Sequence, residues 1–122
     1  MQSEDPRQVV NSYLEALGRR DNEAARAYLS DQGFSYVSPI AQFDDADDFT
    51  ASMEGVGAIL HSIKTLHCFV DGNDVCHILD FKVSMSGYQT RRVAQLAHVE
   101  AGRITHIEAI FDASEYRRMI EG

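Results

Sequence analysis

The chain has 122 residues, enough for one domain around a single core and too few for two. Its hydrophobic fraction of 44% and charged fraction of 25% are those of a globular protein, which excludes a disordered chain. A net charge of -8 repels phosphate backbones and anionic lipid, so neither nucleic acid nor a membrane surface is an expected partner.

No apolar run is long enough to cross a bilayer. The opening Met1-Gln2-Ser3-Glu4-Asp5 lacks the basic and apolar regions of a signal peptide, so a cytoplasmic protein is expected. Asp5-Pro6-Arg7-Gln8 reads as a helix start, with Asp as cap, Pro at the first helical position and Gln able to complete a capping box. Val9, Val10, Tyr13, Leu14 and Leu17 then recur at helical spacing. Asp21 can cap a second helix carrying Ala24, Ala25, Tyr28 and Leu29. Phe34–Ser38 reads as a short strand ended by Pro39. Asp45 or Asp47 opens a third helix with Phe49, Met53, Val56 and Leu60 on one side, weakened by Gly55 and Gly57.

From Lys64 the period becomes two. Leu66–Val70 and Val75–Met85 are strands joined through Asp71-Gly72-Asn73-Asp74, and Arg92–Val99 and Ile104–Phe111 are strands joined through Glu100-Ala101-Gly102. Ser114 or Asp112 can cap a terminal helix with Tyr116, Met119 and Ile120. The order α-α-β-α-β-β-β-β-α predicts one α+β domain over residues 1–122, with the helices covering one face of the sheet.

A two-residue turn would put Leu66, Cys68 and Val70 on one face with Val75, His77, Leu79, Phe81 and Val83, leaving His67, Phe69, Cys76, Ile78, Asp80 and Lys82 on the other. A three-residue Glu-Ala-Gly loop would pair Val99 with Arg103, so that Val93, Gln95, Ala97 and Val99 share a face with Thr105, Ile107, Ala109 and Phe111. Cys68 and Cys76 have no CxxC spacing and read as reduced, buried small hydrophobes.

Ala27-Tyr28-Leu29-Ser30-Asp31, Phe69-Val70-Asp71-Gly72-Asn73-Asp74-Val75 and Val99-Glu100-Ala101-Gly102-Arg103-Ile104 with Phe111-Asp112 resemble the nuclear transport factor 2-like superfamily, particularly its SnoaL-like branch. The resemblance spans nearly the whole chain. It implies a cone-shaped α+β barrel, with helices packed on the concave face of a curved, mixed, mainly antiparallel sheet. It also implies a homodimer through the outer sheet face; the apolar pocket is expected to work without a cofactor. Aligned to the ketosteroid isomerases, Tyr13 falls where the family has an oxyanion-stabilising tyrosine. Gln95 stands where it has a protonated Asp, and Ser38 where it has the proton-shuttling Asp. Steroid isomerisation by that mechanism is therefore not expected. The limonene-type epoxide hydrolases need an Asp-Arg-Asp set; Asp80 fits one place, but Ile78 and Ala109 stand at the others.

The expected pocket is lined by Tyr13, Tyr36, Ser38, Leu79, Phe81, Val93, Ile107 and Phe111 around the polar groups of His77 and Gln95. His77 on an apolar inner face is a candidate general base, the plain alternative being a core histidine bonded to backbone or to a tyrosine. Asp80 is the second candidate if a bulge between Cys76 and Asp80 turns it inward; otherwise it pairs with Lys82 or Arg91 on the outer face. Tyr13 and Gln95 would hold a developing enolate oxygen. His98, His106 and Glu108 lie on neighbouring strands but lack a ligand signature, so a polar outer surface is expected there and no metal. The leading expectation is a proton-transfer enzyme of isomerase, cyclase or dehydratase type acting on a small apolar carbonyl compound. The rivals are a non-catalytic ligand-binding module and a dimerisation module.

Overall fold

The computed structural model describes residues 5–84 and 87–114. Helix α1 (Pro6–Gly18) starts where Asp5 accepts a hydrogen bond from the Arg7 amide and Pro6 occupies the first turn. Its face of Val9, Val10, Tyr13, Leu14, Ala16 and Leu17 is buried, and it lies across strands β3 (Leu60–Asp71), β4 (Asp74–Ser84), β5 (Tyr88–Glu100) and β6 (Arg103–Ile110). Helix α2 (Asn22–Arg26) is capped by Asp21, and α3 (Ala46–Gly57) by Asp45, which accepts from the Asp48 amide at 3.0 Å. Arg26 joins the two helices, donating to Asp47 at 2.8 Å and to Asp31 at 3.0 Å.

Strands β1 (Ser35–Val37) and β2 (Gln42–Phe43) complete a six-stranded sheet in the order β2-β1-β6-β5-β4-β3. The β1–β6 pair is parallel and the others are antiparallel. The sheet curves but does not close, leaving β2 and β3 as edges, so the cone is open.

Several expectations shift. Helix α2 ends at Arg26 because the chain then turns to the sheet: Leu29 bridges Ile104, with Ser30 donating to the Ile104 carbonyl and Ile104 to that of Tyr28. Leu60 opens β3 instead of extending α3, which ends at Gly57 after two poor helix formers. Strand β2 was not expected, and it is only two residues long.

The β3–β4 turn is as expected, with Val70 opposite Val75 and Gly72 at φ +60. Leu66 leaves the expected face pattern, because β3 is bulged between Thr65 and His67 and Thr65 stands opposite Leu79. At the β5–β6 turn the loop is two residues, Ala101 and Gly102, both at positive φ. Glu100 therefore pairs with Arg103, and Val99 with Ile104 rather than Arg103. A bulge at Thr105 restores the face, so Gln95 meets Ala109 and Ala97 meets Ile107. Of the expected terminal helix, Tyr116, Met119 and Ile120 lie outside the described residues.

Candidate functional site

The inner sheet face carries a row that crosses three antiparallel pairs: Cys68 opposite His77, His77 opposite Gln95, and Gln95 opposite Ala109. His77 and Gln95 are the buried polar side chains of this core, at 0% and 6% exposure. The row sits beneath α1, from which Asn11 reaches down to His77, with Oδ1 2.8 Å from Nε2. Oδ1 can only accept, so Nε2 carries the ring proton and Nδ1 keeps its lone pair. Among the described residues that Nδ1 has no hydrogen-bond partner, and neither has Gln95 Nε2. An unused acceptor and an unused donor thus stand on directly paired residues. Leaving each buried and unmatched costs about 1–3 kcal/mol. Burial, helped by the nearby Arg7 charge, lowers the His77 pKa, so the ring is neutral at pH 7.

Above the row, a cleft of about 670 Å³ opens between α1 and β3. Arg7, Asn11, Leu14 and Glu15 form its helix wall, spaced to fall on one stripe of α1; Ile63, Thr65 and Cys68 form much of its strand wall. Of this wall, Asn11 is the residue bonded to His77. A smaller cavity of about 250 Å³ lies on the other side of Asn11, between α1 and the segment from Ala27 to Tyr28.

The expected pocket lining is placed differently. Leu79 and Ile107 are fully buried in the packed core, Val93 is buried, and Phe81 is half-buried against that core. Tyr36 stacks on Phe49 at 4.4 Å, with Phe34 and Phe43 5.5 and 5.9 Å from the same ring. This aromatic layer fills the α3 end of the concave face. Tyr13 is buried beside Tyr36, and burial pushes its phenol well above the ordinary tyrosine pKa. It belongs to that layer, whereas His77 sits near the β3 edge. Ser38 helps form the β1–β2 turn, accepting from the Ile40 amide at 3.3 Å. Phe111 follows β6 and is half-buried.

Asp80 does not turn inward. The bulges of this hairpin fall in β3, and β4 keeps unbroken register with β5 from Asp74 to Ser84. The carboxylate lies on the outer face and takes both oxygens to Arg92, at 2.5 and 3.3 Å, which holds its pKa below the usual range. Its partner is thus Arg92, one strand over, and not Lys82 or Arg91.

Cys68 and Cys76 are free and half-buried, on opposite faces of the sheet. His98 bonds Asp74 at 2.8 Å and Glu100 at 3.2 Å, which raises its pKa; His106 bonds the Ser35 hydroxyl at 2.6 Å. No cluster of three metal-ligating side chains occurs among the described residues. The outer face also exposes Phe69, Leu96 and Ile110.

Asn11, Thr65 and the cleft itself were missed from sequence. Asn11 lies outside the apolar stripe of α1, and Thr65 reaches the cleft through a bulge that carries no sequence signal. The spacing Arg7, Asn11, Glu15 was the available clue, a second polar stripe beside the apolar one.

No family model and no curated protein matches the sequence. Among solved structures, an NTF2-like protein of unknown function from Cytophaga hutchinsonii is 26% identical, with 95% of this chain and 97% of that chain covered and a TM-score of 0.78. An M. tuberculosis LEH-like epoxide hydrolase is 18% identical over 94% of this chain and 89% of its own, with a TM-score of 0.77. A protein of ketosteroid isomerase-like fold from Catenulispora acidiphila, in complex with trimethylamine, is 14% identical over 83% and 82%, with a TM-score of 0.73. Helices laid on the concave face of an open, curved mixed sheet define the cone-shaped α+β class. Within that class, the chain has the fold of the NTF2-like superfamily.

Proposed function

We propose that this chain binds a small carbonyl compound between α1 and the sheet and moves a proton on it through His77, as an isomerase, cyclase or dehydratase would. The observation that carries this reading is the unmatched pair on the inner face, Nδ1 of His77 and Nε2 of Gln95. A C–H adjacent to a carbonyl needs an acceptor for its proton and a donor for the enolate oxygen. Those two atoms supply one of each from directly paired residues. His77 is the base, neutral at pH 7, and Asn11 holds its tautomer. Entry is from the α1–β3 cleft along its Thr65–Cys68 wall, with Asn11 kept on Nε2. Tyr13, set among the aromatics, keeps the packing and does not touch the ligand. Asp80 has no part in the step.

The test is exchange of α-hydrogens of small cyclic ketones in deuterated water, followed by NMR. Wild type should accelerate exchange for at least one ketone. His77→Asn should lose roughly a hundredfold and Gln95→Met a measurable part of the effect. Equal exchange by wild type and His77→Asn sinks the assignment.

The packed aromatic layer favours a second reading, a binding module without turnover, in which a ketone perturbs cleft resonances and no exchange follows. On either reading we propose that two copies pair through the outer sheet face. There Phe69, Leu96 and Ile110 form an apolar centre, rimmed by the Asp80–Arg92 pair and His98.

A further inference from the structure

Cys68 is the member of the His77 row that lines the open cleft. Directly paired side chains on one face have Cβ atoms about 4.5–5.5 Å apart, and a cysteine has one rotatable bond to its sulfur. The Cys68 side chain therefore stands beside the imidazole on the same face, and Nδ1 of that ring is buried and unpartnered among the described residues. Asn11 bonds the far nitrogen of the same ring, which leaves the lone pair on the atom next to the sheet. Thiol, imidazole and amide, in that order, make the set that activates a cysteine nucleophile on unrelated folds.

We propose that Cys68 is a nucleophile, with His77 as its proton acceptor and Asn11 as the positioning residue, and that the cleft takes α,β-unsaturated carbonyl compounds. It rests on the reading above only in that the ligand bears a carbonyl group. The Sγ–H proton passes to His77 Nδ1 as Sγ bonds the β-carbon. The C=C electron pair moves to form the enolate, and Nδ1 then returns the proton to the α-carbon. The product is a saturated thioether, no oxidant or reductant is consumed, and the reverse steps release the enone. One buried imidazole with a single free nitrogen meets that need. Acyl transfer would also require fixed donors around a tetrahedral oxyanion.

Cys76 is an internal reference, because it sits on the opposite face between Phe69 and Leu96. The full chain is incubated with 2-cyclohexenone at neutral pH, and adduct formation at each cysteine is followed by peptide mass mapping. Cys68 should react roughly tenfold or more faster than Cys76. His77→Asn should abolish the preference and Asn11→Ala reduce it severalfold, each with a wild-type far-UV spectrum, while Cys76→Ser leaves the Cys68 rate unchanged. Asn11 is on the exposed part of α1, so its variant remains informative if His77→Asn does not fold. Equal rates at the two cysteines in wild type, or a Cys68 rate indifferent to both substitutions, overturn the proposal. Ketone exchange that depends on His77 while Cys68 stays inert removes this inference alone. A His77-dependent adduct without ketone exchange removes only the proton-transfer reading.

Discussion

At the residue scale, the core accepts two polar side chains with buried atoms that lack partners among the described residues, and such groups cost stability unless something else matches them. Gln95→Met keeps the length of the side chain and removes the unmatched donor. It should raise the unfolding free energy by about 1 kcal/mol in urea denaturation; a loss of stability would mean that the amide is matched in solution. The histidines should titrate apart. Burial lowers His77 in the folded state, so below the unfolded value of about 6.5 the unfolded chain takes up the proton first and stability falls with acid. His98 is raised by Asp74 and Glu100; its contribution is complete below that same unfolded value and fades as pH rises through the folded one. NMR titration of the rings should place His77 below and His98 above the ordinary histidine pKa. His98→Gln should flatten stability on the alkaline side, and the reverse order of the two pKa values would contradict the geometry.

At the element scale, turns and caps set the registers that bring Cys68, His77 and Gln95 into one row. The β5–β6 turn holds Ala101 at φ +51, a conformation that an L side chain adopts at a cost of roughly 1–2 kcal/mol. Ala101→Asn gives the Asn-Gly pair that such a turn favours and should gain about 1 kcal/mol in thermal unfolding. The α3 start hangs on one side chain, so Asp45→Ala should cost about 1 kcal/mol in the same measurement. Much of this was legible from sequence: Asp5 and Asp21 cap as their residue types suggest, Asp45 is one of the two residues expected to open α3, and Gly72 turns where expected. The bulges in β3 and at Thr105 were not, because a bulge is chosen by how two strands must curve together and leaves no mark on either alone.

At the scale of the whole molecule, the sheet separates two chemistries. The concave side carries the His77 row under α1; the convex side exposes Phe69 at 60% and Ile110 at 58%, a burden for a lone domain. If the outer faces pair, Leu96→Arg should convert a dimer to a monomer in sedimentation velocity while leaving ketone exchange at His77 intact. A wild-type monomer at micromolar concentration would refute the pairing.

The sequence alone determined the α+β class and the order of the main elements and pointed Gln95 inward, because hydrophobic period and turn residues act locally; it left open whether His77 or Asp80 would face the core. It could not say that Asp80 would be held outside by Arg92, that Tyr13 and Tyr36 would fill the space expected to be open, or that Asn11 would close on His77. Those were decided by the tertiary structure, since side chains far apart along the chain compete for the same volume and the same hydrogen bonds only once the sheet has curved around α1.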